Sequence, residues 1–135
     1  MSRKAIKLLS MLLCLYLIVL GYLLFGRVDY LRTPPDWVIP FDKVVHFLLF
    51  QPLSVLLYLL LKSSRHINGF WAALLSILLS LGFALLTEMG QGYLTSYRTS
   101  DIEDFYADAI GISISLIIII IAEKPVTRLL NKICK

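Results

Sequence analysis

The stretch "TEMGQGYLTSYRTSDIEDFYAD", residues 87–108, holds five carboxylates (Glu88, Asp101, Glu103, Asp104 and Asp108) together with Gln91 and Arg98 in an otherwise oily chain. Upstream, "PFDKVVHF" adds Asp42, Lys43 and His46. These residue types suit a definite range of chemistry. Arg98 and Lys43 would hold an anionic group, the guanidinium by a fork-like contact with phosphate. Glu88, Asp104 and Asp108 would bind a divalent cation, or act as acid and base. His46, with an ordinary pKa near about 6.5, would shuttle a proton while Asp42 orients it. The catalytic candidates are therefore His46, Glu88, Asp104 and Asp108. The substrate-binding candidates are Asp42, Lys43, Gln91, Arg98 and Asp101. This set is compatible with phosphoester chemistry, glycosidic chemistry or binding without turnover, and selects none of them.

Several of these residues also have plain structural readings. Ser100 to Glu103 fits an S-x-x-E capping box, and Asp101 suits the positive end of a helix. Asp42 fits a simple N-cap. Gln91 fits interhelical glue, and Arg98 fits an anchor to lipid phosphates. His46, Glu88 and Asp108 resist such readings, because ionisable groups set within apolar runs are costly and usually functional.

The elements that must position these residues are four apolar blocks. The chain has 135 residues, 59% of them hydrophobic and only 16% charged. Its mean hydropathy is +0.81. Residues 8–26, 44–61, 70–87 and 105–122 each form a run close to the roughly 20 residues that cross a bilayer. Backbone groups in lipid must satisfy one another, so each block reads as a helix, even the β-prone "LIIIII" at 116–121. The expected architecture is an all-α integral membrane protein, a single domain over 1–135. It comprises four transmembrane helices near 6–26, 42–61, 68–92 and 101–122, with 123–135 as a cytoplasmic basic tail. Arg3, Lys4 and Lys7 before the first block resemble a signal peptide's basic region. That apolar block exceeds the usual 7–15 residues, however, and reads as an anchor.

Charge sets the orientation. Arg3, Lys4, Lys7, Lys62, Arg65, Lys124, Arg128, Lys132 and Lys135 fall on one side of such a bundle, and only Arg27, Arg32, Lys43 and Arg98 on the other. Lys and Arg concentrate in the cytoplasm, so both termini are expected inside. Eight of the nine acids lie on or near the outer side, with Glu123 the exception. The net charge of +4 is thus a topology signal. It implies no nucleic-acid partner. The aromatics Tyr30, Trp37, Phe41, Tyr93 and Tyr97 would line the outer interface, and Phe70 and Trp71 the inner one. Cys14 and Cys134 are placed at different levels and carry no metal spacing.

In this topology the second helix begins with Asp42 and His46 on one face. The third ends with Glu88 and Gln91 on one face. The fourth begins with Asp101, Asp104 and Asp108 as a stripe that Gly111 continues, where a close neighbour would fit; Glu103 points elsewhere. Together they form a polar pocket at the outer face.

"DKVVHFLLF", "TEMGQ" and "RTSDIEDFYADAIG" resemble the VanZ-like family of small bacterial membrane proteins. The family pattern has D-K-x-x-H on one helix, E-x-x-Q ending a later one, an Arg in the next loop, D-x-x-D entering the last helix, and N-x-x-G one turn on. Asp42, Lys43, His46, Glu88, Gln91, Arg98, Asp101, Asp104 and Gly111 match it. Asp108 stands where the family usually has Asn and adds a charge. The match runs from Asp42 to Gly111. The resemblance implies a multi-pass protein of the bacterial cytoplasmic membrane with an envelope role linked to teicoplanin-type glycopeptide resistance. Implied partners are membrane lipid and a lipid-linked envelope precursor or lipoglycopeptide. A shielding protein without turnover, or a small proton-coupled transporter, are the competing readings. The transporter ranks lowest, because the inner half has no comparable polar cluster and no inverted repeats are evident. No G-x-S-x-G, H-E-x-x-H or P-loop is present.

Overall fold

A computed structural model describes residues 1–26, 41–94 and 101–134. The described residues form four helices: α1 (Arg3–Phe25), α2 (Phe41–Lys62), α3 (Gly69–Leu94) and α4 (Ile102–Ile133). Each is long and apolar enough to cross a membrane. Polar caps open three of them. The Ser2 hydroxyl accepts from the Ala5 N–H, the Asn68 carboxamide from the Trp71 N–H, and the Asp101 carboxylate from the Glu103 N–H. Such caps satisfy donors that the first turn leaves over. The isoleucine run lies wholly within α4.

The bundle has an exterior oilier than its interior. Ile18, Leu86, Ile117 and Ile121 are well over half exposed, while His46, Ser54, Ser76, Ser80, Glu88, Gln91, Asp104, Asp108 and Ser115 are buried. A water-soluble protein reverses that distribution. Lipid requires it, because tails welcome Leu and Ile and polar side chains must find one another inside.

α2 and α4 run parallel, and their polar contacts keep a nearly constant register. Lys43 meets Asp104 61 residues on, His46 meets Asp108 62 on, Ser54 meets Ser115 61 on and Tyr58 meets Glu123 65 on. The two hydroxyls of Ser54 and Ser115 are 2.7 Å apart, and Tyr58 donates to Glu123 Oε2 at 2.7 Å. Gly111 permits this closeness: a Cβ there would collide with the Phe47 carbonyl oxygen. α3 buries a stripe of mainly small residues, Ala72, Ser76, Ser80 and Ala84, which ends in Thr87, Glu88 and Gln91. α1 is tied on by hydrogen bonds. The Tyr16 hydroxyl donates to the Leu49 carbonyl, in the turn before Pro52. The Gln91 amide donates to the Leu24 carbonyl at 2.8 Å, and the Ser2 N–H donates to Asn131 Oδ1 at 2.8 Å. The last contact places the beginning of α1 beside the end of α4, so both chain ends lie at one end of the bundle.

Some boundaries differ from the sequence expectation. α1 spans residues 3–25, not 6–26, and α3 reaches Leu94. The larger difference is α4, which continues through Pro125 to Ile133 where a basic tail was expected from 123 onward. Its 32 residues span about 48 Å at 1.5 Å per residue, more than a bilayer's apolar core of about 30 Å. The hydrogen bonds of Glu123 to Tyr58 and of Asn131 to Ser2 hold this extension against the bundle.

Gly111→Ala should force α2 from α4 at Phe47. Overpacking of a tight contact costs about 1–3 kcal/mol, so unfolding in detergent should shift by that amount. Gly82→Ala, where nothing stands within 4 Å of the added carbon, should change stability little or raise it.

Candidate functional site

At the bundle end opposite the termini, three helices bring ionisable groups around one imidazole. His46 stands one turn after Asp42 on α2, and its burial follows from the face it shares with Phe50, Leu53 and Ser54. Asp104 and Asp108 are on the inward stripe of α4, two turns and one turn before Gly111. Glu88 is at the polar end of the α3 stripe. His46 and Asp108 are 0% exposed, Glu88 is 3% and Asp104 is 4%.

His46 Nδ1 lies 3.2 Å from Asp108 Oδ1 and 3.7 Å from Glu88 Oε1. Its Nε2 lies 3.8 Å from Asp104 Oδ2. An ionised carboxylate only accepts hydrogen bonds, so with Asp108 ionised the Nδ1 proton lies in the bond to Asp108. Nε2 then presents a lone pair, and it has no hydrogen-bond partner. Glu88 Oε2 accepts from the Asp101 N–H at 3.0 Å, which joins the end of α3 to the start of α4, while Oε1 has no partner. Leaving a buried polar atom unsatisfied costs about 1–3 kcal/mol. Two such atoms facing the same cluster therefore mark a strained arrangement.

Lys43 sits above this centre. Its Nζ lies 2.9 Å from Asp101 Oδ2, 2.8 Å from Glu103 Oε2 and 3.4 Å from Asp104 Oδ1. The Glu103 N–H and the Lys43 ammonium beside Asp101 hold its carboxyl below the usual aspartate range. Asp104 thus has one oxygen toward Lys43 and the other toward His46, coupling an exposed ion-pair network to the buried imidazole.

Most candidates named from the sequence meet here. Asp42, His46 and Asp104 each offer a donor atom within 4.8 Å of the other two, as do His46, Glu88 and Asp108. Two readings need correction. Glu103 was expected to point elsewhere; its carboxylate reaches Lys43. Asp42 is inside the first turn of α2 and is not its cap. The cap of α4 is Asp101, whose carboxylate takes the Glu103 N–H; Ser100 of the expected capping box lies outside the described residues. Lys43 is engaged by three carboxylates. Gln91 binds the Leu24 carbonyl, one of the C-terminal carbonyls of α1 that the helix leaves without a donor. Arg98 lies outside the described residues. Sequence reasoning missed Ser54–Ser115 and Tyr58–Glu123. Their signal is a spacing of 61 to 65 residues between α2 and α4, which can be read only once one α2–α4 pair is known.

The Lys43–Asp104 contact should be energetically coupled. In a double-mutant cycle of Lys43→Met with Asp104→Ala, which removes the oxygen facing Lys43, the double variant should differ from the sum of the single effects on unfolding in detergent by about 0.5–3 kcal/mol. Strict additivity would show that Lys43 serves only the exposed acids.

Comparison with known proteins adds to this geometry. No curated protein and no solved structure matches the chain. A family model described as VanZ/LLP1 matches residues 12–123, from within α1 to the middle of α4, and so encloses every ionisable group of the cluster. The chain belongs to the VanZ/LLP1 family.

Proposed function

We propose that this is a protein of the bacterial cytoplasmic membrane, with both termini inside, whose outward-facing acid–histidine cluster binds or modifies a lipid-linked or headgroup phosphate or sugar of the cell envelope. The observation that carries this reading is the fully buried His46, bonded to Asp108 and faced by Glu88 and Asp104 at 3.7 and 3.8 Å. Ionisable groups this deep in an apolar bundle are expensive and mark function more often than scaffold. The bundle already has a scaffold of apolar contacts, serines and Gly111 that does not need them. Carboxylates and an imidazole suit acid–base exchange with sugar hydroxyls or phosphoester oxygens. A site at the membrane surface meets headgroups while their tails stay in lipid. Teicoplanin-type resistance, implied by the family pattern, is a phenotype in which a change to a lipid-linked precursor would be felt.

Glu88→Gln and Asp104→Asn keep an oxygen for the Asp101 N–H and for Lys43 while removing charge. Each should leave detergent melting nearly unchanged and abolish protection against teicoplanin or a lipoglycopeptide in a strain lacking the gene. Destabilised variants that protect fully would sink the reading. Orientation is checked separately. Reporters fused at the C-terminus and within residues 27–40 should read cytoplasmic and external, respectively, following the distribution of Lys and Arg.

A further inference from the structure

The buried cluster has a nitrogen lone pair with nothing to bind. His46 Nε2 is fully buried and unpartnered, and it faces Asp104 Oδ2 at 3.8 Å. That separation is too long for a hydrogen bond. Asp42, one turn earlier on α2, completes a set of three donor atoms within 4.8 Å of one another. Ligands held about 2.0–2.2 Å from one ion lie up to about 4.4 Å apart. The His46–Asp104 pair therefore fits a shared ion as it stands, and Asp42 offers an oxygen within 4.8 Å of both.

The other side of the ring is already arranged for this. A metal-bound imidazole usually donates its second N–H to a carboxylate, which fixes the tautomer and the ring plane. Asp108 holds Nδ1 in that way at 3.2 Å. Lys43 likewise fixes Asp104 through Oδ1 and leaves Oδ2 turned toward Nε2. The charge balance points the same way. Glu88, Asp104 and Asp108 are all more than nine-tenths buried. Lys43 shares its single charge with the exposed acids Asp101 and Glu103. Buried carboxylates are stable when paired or bound to metal.

We propose that Asp42, His46 Nε2 and Asp104 bind one divalent transition ion of the Mn²⁺ or Zn²⁺ class, with Asp108 and Lys43 as positioning residues. One imidazole and two carboxylates favour such an ion over Mg²⁺, which prefers oxygen ligands alone. Three protein ligands leave coordination positions open. An anionic phosphate oxygen fits there, which explains how a cluster rich in carboxylates accepts an anion although Lys43 is already engaged. That last step rests on the proposed function; the ion site itself does not.

The test uses the full chain in detergent, stripped with chelator and titrated with Mn²⁺, Zn²⁺ and Mg²⁺ by calorimetry. The expected result is saturable binding of one Mn²⁺ or Zn²⁺ per chain, with Mg²⁺ much weaker. Imidazole nitrogen should appear in the shell of bound Mn²⁺ by pulsed electron paramagnetic resonance. His46→Ala and Asp104→Asn should lose the saturable phase, while Glu88→Gln retains it. Wild-type chain without saturable binding, or an ion with no nitrogen ligand, overturns the proposal whatever the variants do. Loss in Glu88→Gln with retention in Asp104→Asn overturns it too, by moving the ion to the Nδ1 side. Ion binding without any envelope phenotype leaves this site standing and removes the functional reading; a phenotype without ion binding does the reverse.

Discussion

The close approach of α2 and α4 governs the rest of the structure. At Gly111 the missing side chain lets the Phe47 carbonyl press against α4. That contact sets the register for every polar pair along the two helices. His46 precedes Phe47 by one residue and Asp108 precedes Gly111 by three, so the imidazole and carboxylate meet directly beside the point of contact. Ser54–Ser115 and Tyr58–Glu123 continue the pairing of the two helices through the middle and toward the other end, at spacings of 61 and 65 residues. A wider crossing would separate all three pairs together, since interhelical hydrogen bonds act over tenths of an ångström.

Why parallel helices should carry the site follows from the connectivity. α3 returns the chain through the membrane between α2 and α4, so both start at the same end. Their first turns then lie at one depth, with the end of α3 next to them. Glu88 uses this position twice. One oxygen takes the Asp101 N–H and the other faces His46. A residue at a helix end thus helps to place the start of the next helix and contributes to the buried centre. α1 stands apart chemically. It contributes an apolar face and a few hydrogen bonds, among them those of Tyr16 and Leu24, but no ionisable group to the cluster.

The polar interior also has a gradient. Serines in the middle of the bundle are neutral, and three of them make short bonds, Ser76 to its own helix and Ser54 with Ser115. Among the described residues the acids and bases of α2, α3 and α4 lie toward the two ends, the acid–histidine cluster at one and Lys62 and Glu123, with Tyr58 donating to Glu123, at the other. This is what a low-dielectric slab permits. Neutral hydroxyls are tolerable at its centre, whereas charges need water, partners or ions close at hand.

The sequence alone determined the number and kind of elements. Apolar runs of membrane length admit helices and little else, because in lipid the backbone must bond to itself. It also picked out His46, Glu88, Asp104 and Asp108, since ionisable residues inside such runs stand out against the oil. It even marked Gly111 as a place for a near neighbour. What it left open depends on contacts between distant segments. That Glu103 and Asp101 both reach Lys43, that Asp101 is the cap, and that α4 continues to Ile133 are matters of pairing across helices. Which nitrogen of His46 is bonded and which is left bare was likewise decided by tertiary structure. A helical wheel gives the face of a residue, but the partner across the interface depends on the rotation and depth of a second helix. Only the packing of α2 on α4 sets those.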